Sequence, residues 1–315
     1  MPHIAFTRRS LLAAGLSLVA QRRLVAATAP TALTDLMPRF WRVYDRDASA
    51  PLPARVNRLR SDFIASQQTI YDRAGMVRIT AEELTTWLPR FDAMADEVRS
   101  LHRGFAAAFD THMHGFTRAF PDFDAASAPV FVLPSLFRFD AHLESHESSL
   151  PLFFGLDGVV RYHGNHADLG VLFAHEFFHC YQAQKNPSLS LDPQAPVYGA
   201  LWLEGVATYV SERLNPDASL LHVLLDDDEL LRRGPAYRRK MALALLDRID
   251  SRRDADLAAF FASGYRGEWP ARAGYYVGLL AARNIGRSLD MVQMAALSTP
   301  QVREQLVEQL KQLAR

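Results

Sequence analysis

The chain has 315 residues, 49% hydrophobic and 22% charged, with 35 basic and 35 acidic side chains. That composition excludes a disordered, collagen-like or disulfide-stapled chain, and the single cysteine, Cys180, excludes an intramolecular disulfide and a cysteine-built metal cage. Zero net charge argues against a nucleic-acid binder, and no apolar run reaches the roughly 18 residues that span a bilayer, so a soluble globular protein is expected.

Residues 1–29 hold four arginines and no acidic residue. Arg8 and Arg9 precede an apolar stretch from Leu11 to Ala20, and Ala27-Thr28-Ala29 closes the segment with an Ala-x-Ala ending. A charged start, a short apolar core and such an ending describe a signal peptide. The paired arginines resemble the twin-arginine export signal of bacteria, and Arg22 and Arg23 behind the core fit that route better than the general one. The expected location is periplasmic or secreted. Without these 29 residues, 31 basic side chains face 35 acidic ones, a mature net charge of −4.

Residues 30–128 read as a helical N-terminal region. Apolar side chains recur at spacings of three and four from Ser61 to Ala74 and from Ala81 to Asp110. Thr80, followed by Glu82 and Glu83, marks a helix start, and Pro89 should kink or split the second pattern. From residue 129 the character changes. Val130–Leu133 reads as a strand, and Leu152–Gly155 with Val159–Tyr162 reads as two strands around a turn at Asp157-Gly158. A small antiparallel sheet is therefore expected ahead of the next helix. Beyond residue 200 helices return, with turns at Asn215-Pro216 and Gly234-Pro235 and a last helix from Met291 or Thr299.

The helix following the sheet, capped by Asp168 or Asn165, contains His175-Glu176-Phe177-Phe178-His179. Positions i and i+4 of a helix share one face, so both imidazoles of this H-E-x-x-H motif reach one ion. Glu176 stands one step around the helix, beside the ion, where it can take a proton from water. A zinc site needs a third protein ligand and an open position. Glu204 is the best candidate, because it is a carboxylate among Leu201, Val206, Tyr209 and Val210 that is expensive to bury without a cation.

H-E-x-x-H followed by Trp202-Leu203-Glu204-Gly205-x-Ala207-x-Tyr209, with 24 residues between His179 and Glu204, resembles the gluzincin metallopeptidases, and is most similar to a family of predicted bacterial zinc-dependent proteases. The resemblance covers roughly residues 130–286 and implies Zn2+ as cofactor, held by His175, His179 and Glu204, with Glu176 as general base. Gly274-Tyr275-Tyr276-Val277-Gly278 resembles the Y-x-x-G segment that brings a tyrosine over the metal in the aminopeptidase branch. It implies Tyr275 as the oxyanion donor, with Tyr276 as the alternative. Three departures stand out. The gap between motifs is longer than usual, its extra length falling in a loop marked by Asn186-Pro187 and Asp192-Pro193. The G-x-M-E-N segment that grips a free amino terminus is absent. Thr208 stands where some gluzincins place an aspartate that orients a histidine.

The expected fold class is α+β, mainly helical: a zincin-like catalytic region over 129–315, forming one compact unit with 30–128. The expected activity is hydrolysis of a peptide or protein substrate by a metalloprotease, with endopeptidase action favoured, no nucleic-acid partner and no membrane anchor after signal removal. An edge strand around Phe153 to Leu156 could pair with an extended substrate. The alternatives are a zinc hydrolase of another amide or ester, or a non-catalytic metal-stabilised binding protein. Other features have plainer readings. His142 and His146, with Glu144 and Glu147, read as a solvated polar segment ahead of a second metal pair. His163 and His166 precede the motif helix, where a substrate-facing role is conceivable. Asp226–Glu229 reads as a solvated face or a helix start rather than a calcium loop, and Cys180 as core filling.

Overall fold

The computed structural model describes residues 33–46, 48–145, 149–192 and 194–315, and for Asn165 the backbone alone. The signal-peptide reading of residues 1–29, the residues His146 and Glu147, Pro193 and the capping role of the Asn165 side chain lie outside the described residues. The class is α+β, with 67% helix and one small mixed sheet. Two compact units are present. One comprises the described residues up to Ala107 with Asp124–Ala167, the other Ala108–Phe123 with Asp168–Arg315.

The first unit holds the whole sheet: β1 (Leu33–Asp35), β2 (Val130–Leu133), β3 (Ala141–Leu143) and β4 (Leu152–Gly155), in the order β1-β2-β4-β3. It also contains α1 (Met37–Arg46), α2 (Leu52–Arg58), α3 (Gln68–Arg73), α4 (Ala81–Asp92), the first half of α5 (Ala95–Ala119) and α6 (Leu156–His163). β1 and β4 run parallel to β2, with Phe131 opposite Phe153, and only β3 pairs antiparallel with β4. The sheet is thus mixed rather than antiparallel. β2 and β4 are buried throughout, as central strands covered on both faces should be. Phe40 packs edge-to-face on Trp87 and Phe91, which lie tilted against each other, in the helical core.

Two readings of this unit are corrected. Residues 159–162 are not a strand but the body of α6. Gly158 is a contact point and not a turn residue, since a Cβ there would stand 1.9 Å from the Phe139 carbonyl oxygen. Asp157 faces inward and accepts hydrogen bonds from the amides of Ser135 (2.6 Å) and Phe137 (2.8 Å), from Trp87 Nε1 (3.0 Å) and from Ser135 Oγ (3.1 Å). These bonds hold Leu136 and Phe137 at φ 57° and 60°, a left-handed conformation unusual for such side chains. The long helical pattern over 81–110 does divide, but after Asp92. Pro89 sits inside α4, and Thr80 caps that helix by accepting from the Glu83 amide.

The second unit is all helix: the second half of α5, then α7 (Leu169–Lys185), α8 (Pro187–Ser190), α9 (Val197–Leu214), α10 (Leu220–Val223), α11 (Asp228–Asp247), α12 (Asp254–Phe261), α13 (Ala273–Ile285), α14 (Met291–Ala295) and α15 (Thr299–Leu313). α7 and α9 are apolar on nearly every side and buried, as the inner helices of a bundle must be. Phe109, Phe116 and Phe120 of α5 and its C-terminal extension pack on Phe173, Phe177, Phe178 and Tyr181 of α7 at ring separations of 4.7–5.9 Å. Gly234-Pro235 lies inside α11 and not in a turn. Asp227 caps α11 and Asp228 and Glu229 occupy its first turn, while α14 and α15 are separate helices starting at Met291 and Thr299. No helix among the described residues is long and apolar enough to cross a membrane.

Candidate metal centre

Asp168 starts α7 by accepting a hydrogen bond from the Val171 amide at 3.1 Å. Seven and eleven residues on, His175 and His179 share the helix face turned toward α9. Their Nε2 atoms are 3.1 Å apart, and Glu204 Oε2 on α9 lies 3.3 Å from the first and 3.5 Å from the second. Three donors about 2.05 Å from one tetrahedral ion would be separated by about 3.3 Å. The triangle therefore has the dimensions of a zinc site, and no other group of three such side chains converges among the described residues. Two imidazole nitrogens and a carboxylate crowded together out of water are hard to satisfy with protons alone, and a divalent cation satisfies all three.

The glycines of the two second motifs explain how Glu204 and Tyr275 meet. α13 packs against α9 more extensively than any other pair of elements does. A Cβ on Gly205 would stand 2.5 Å from the Gly278 Cα, and one on Gly278 would stand 2.6 Å from the Gly205 Cα. Only glycine at both positions lets the backbones touch. The crossing places Tyr275, one turn before Gly278, beside Glu204, one residue before Gly205. Tyr275 is 8% exposed, and its ring lies 6.2 Å from that of His175 at 19°. Tyr276 points elsewhere, toward α11, where a Cβ on Gly234 would be 3.2 Å from its ring.

Electrostatics at the site follow from burial and crowding. Burial holds His175 below the ordinary histidine range, with the charges of His179 and Arg272 acting in the same direction against Glu204. Burial also opposes charge on His179, but Glu204, Glu176 and a hydrogen bond donated to Gln182 outweigh it and raise the imidazole to about 9. Glu204 is held well below the usual carboxylate range; burial opposes this, and the two histidines prevail. Tyr275 is pushed up by burial and then by the Glu204 charge, with Glu176 adding to it. Glu176 thus lies within electrostatic reach of both His179 and Tyr275.

Two residues of this site escape a motif-based reading. Gln182, one turn past His179 and 2% exposed, accepts a hydrogen bond from His179 Nδ1 at 3.0 Å and donates one to the Leu203 carbonyl at 3.3 Å. It fixes the Nδ1–H tautomer of His179, leaving Nε2 for the ion, and ties α7 to α9 beside Glu204. Its only sequence signal is its i+3 spacing from His179. Thr208 does not orient a histidine, because its hydroxyl donates to the Glu204 carbonyl at 2.7 Å. Arg272 is the second missed residue, on the turn that enters α13.

Other sequence readings resolve locally. β4 is flanked by β2 and β3 and Leu156 begins α6, so residues 153–156 are no free edge for a substrate strand. His142 pairs with Glu144 at 3.0 Å and His163 with Asp140 at 2.8 Å, and neither joins a three-ligand cluster among the described residues. Cys180 is buried and its thiol is pushed up by that burial, which makes it inert core.

No curated protein and no solved structure matches the chain. Residues 152–290, from β4 through the motif helix, α9 and α13, match the model of a family described as "Putative zinc dependent peptidase (DUF5700)".

Proposed function

We propose that this protein is an exported zinc-dependent metallopeptidase, cutting within peptide chains with Glu176 as general base. The observation that carries the reading is the convergence of His175, His179 and Glu204 within 3.5 Å of one another. The family match, coarser in what it says, agrees with it. Export is supported by the arginine pair, apolar core and Ala-x-Ala ending of residues 1–29. Endopeptidase action is supported by the lack of a G-x-M-E-N segment to hold an amino terminus.

Zinc at the three donors would supply a Lewis acid that brings the pKa of water toward about 7 and polarises a carbonyl. Glu176 is about 100° around the helix from His175, beside the donor triangle and not in it. Its carboxylate takes the proton of the attacking water and delivers it to the departing amine. Tyr275 keeps its hydroxyl proton, since burial and Glu204 both oppose ionisation, so it can donate to the oxyanion that develops on the carbonyl. Gln182 holds the His179 ring in the tautomer this requires.

Metal analysis of the purified chain alongside hydrolysis of a peptide mixture tests the proposal. One zinc per chain and cleavage by the wild type are expected. Glu176→Gln should keep the metal while losing roughly 10²–10⁴-fold in rate. Full zinc with unchanged cleavage in that variant would remove Glu176 from its role. Full zinc with no cleavage by the wild type would favour a metal-stabilised binding protein.

A further inference from the structure

Arg272 differs from three other arginines that are partly covered by the fold. Arg55 is clamped by Asp92, Arg138 by Glu83 and Arg283 by Glu212, each with two guanidinium nitrogens on the carboxylate. Arg272 has no carboxylate partner among the described residues. Its hydrogen bond runs from Nη1 to the Leu225 carbonyl, at a long 3.4 Å. A guanidinium carries five donors in a planar fork shaped for a carboxylate, so most of its capacity is unspent.

Its position is enforced. Arg272 has φ 56° and ψ 25° at the N-cap of α13, and Leu225, whose carbonyl it meets, is also left-handed at φ 55°. Each such residue costs on the order of 1–2 kcal/mol and persists only where its surroundings demand it. The guanidinium lies over the Tyr275 ring, 4.5 Å from its centroid, and that ring lies 6.2 Å from His175. A cation with free donors is therefore held one aromatic ring away from a metal-ligand imidazole.

We propose that Arg272 receives a carboxylate of the substrate, making the site selective for peptides with a carboxylate within about three residues of the bond cut. The spacing follows from the two ring distances set against an extended chain that advances roughly 3.3–3.6 Å per residue. The carboxylate can come from an acidic side chain or from a free C-terminus, since the fork recognises the same group in either. This inference rests on the peptidase reading above. A merely structural Arg272, propping Tyr275 through the ring contact, would affect every substrate alike.

The experiment uses the full zinc-loaded chain and peptides of one sequence in three forms: free C-terminus, C-terminal amide, and amide with an Asp in place of Asn next to the cut. The parent sequence comes from cleavage sites mapped by mass spectrometry in a randomised mixture. Wild type should prefer at least one carboxylate form over the neutral amide by about 30-fold in kcat/KM, the size of a charge-assisted hydrogen bond. Which form it prefers identifies the source. Arg272→Gln should bring the ratio of kcat/KM between carboxylate and neutral forms to about one, and Arg272→Lys should restore part of the preference. Calorimetric binding of the same peptides to zinc-loaded Glu176→Gln, with and without Arg272→Gln, should show the same difference without turnover. Equal cleavage of all forms by wild type, or an equal loss on all forms in Arg272→Gln, would overturn the inference and leave the peptidase reading intact. No cleavage of any peptide by the zinc-loaded wild type would overturn both.

Discussion

Asp157 and Glu204 are both carboxylates withdrawn from water on helices, one in each unit, and the fold treats them oppositely. Asp157 is fully buried and receives four protein hydrogen bonds, from Trp87, Phe137 and twice from Ser135. Glu204, its side chain 15% exposed, faces two imidazoles that already crowd each other. Asp157 is complete within the chain, and its work is to fix the left-handed turn at Leu136–Phe137. Glu204 is balanced chiefly by the proton on His179, which a cation would replace. A buried carboxylate is structural when the protein's own donors satisfy it, and it marks a site when they fall short.

The sharpest way to break that distinction is to neutralise each carboxylate in turn. Glu204→Gln should lower zinc affinity by about 10³-fold, one ligand's share of a binding free energy on the order of 10–16 kcal/mol, and should leave the metal-free fold standing. Asp157→Asn should leave zinc affinity alone and destabilise the fold by about 2–4 kcal/mol, because an amide NH2 then opposes donors that had accepting oxygens. Zinc titration and denaturant melts of the two variants read both effects. If Asp157→Asn lost zinc without unfolding, or if Glu204→Gln kept it, the assignment of the two carboxylates would be reversed.

Gln182 extends the comparison to the imidazoles. Gln182→Leu should reduce zinc affinity about 10- to 100-fold, the usual consequence of removing a partner that orients a metal-bound histidine. Retention of zinc at wild-type affinity would show that packing alone orients His179. Such a residue was not legible in the sequence, where a glutamine three places after a histidine looks like any polar helix position. Arg272 was hidden for a related reason, since nothing in Gly274–Gly278 signals that the preceding arginine adopts a left-handed backbone. By contrast, Asp168, the unbroken apolar run of α7 and the i, i+4 histidines could be read directly, because cap, periodicity and ligand spacing are all local. Glycines and prolines misled wherever their role was tertiary. Gly158 and Gly234 serve close packing, and Pro89 rides inside α4, so that turn chemistry read from neighbours gave a false strand at 159–162 and a false turn at 234–235. The order β1-β2-β4-β3 was likewise beyond local reading, since parallel pairing of β1 with β2 joins segments about a hundred residues apart.

The balance at Glu204 also has a pH signature. His179, raised to about 9, is protonated in the metal-free protein at neutral pH and must release that proton to bind an ion. Apparent zinc affinity should therefore rise about tenfold per pH unit from 6.5 to about 9 and then level off. Competition with a chelator across that range measures it. A linked effect appears in stability. A histidine raised on folding stabilises most below its unfolded pKa, and that contribution fades as pH climbs through the folded value. The chelated protein should lose melting temperature between pH 6.5 and 9.5 relative to the zinc-loaded one. A flat affinity profile would mean that His179 is already neutral when the ion arrives.

The smallest expected effect concerns Thr208, four residues after Glu204, where gluzincin-type enzymes can carry an aspartate that orients a histidine. Its hydroxyl is buried and bonds backward to the Glu204 carbonyl at 2.7 Å, a common fate for threonine inside a helix. That bond leaves the hydroxyl no role toward His175 or His179, and Gln182 supplies the orientation from α7 instead. Valine has nearly the same shape and removes only the back-bond. Thr208→Val should therefore change zinc affinity less than about twofold and stability by about 1 kcal/mol or less. A tenfold loss of zinc would place Thr208 in the support of the donor triangle after all, and would mean that the helix carrying Glu204, as well as the one carrying the histidines, sets the orientation of the ligands.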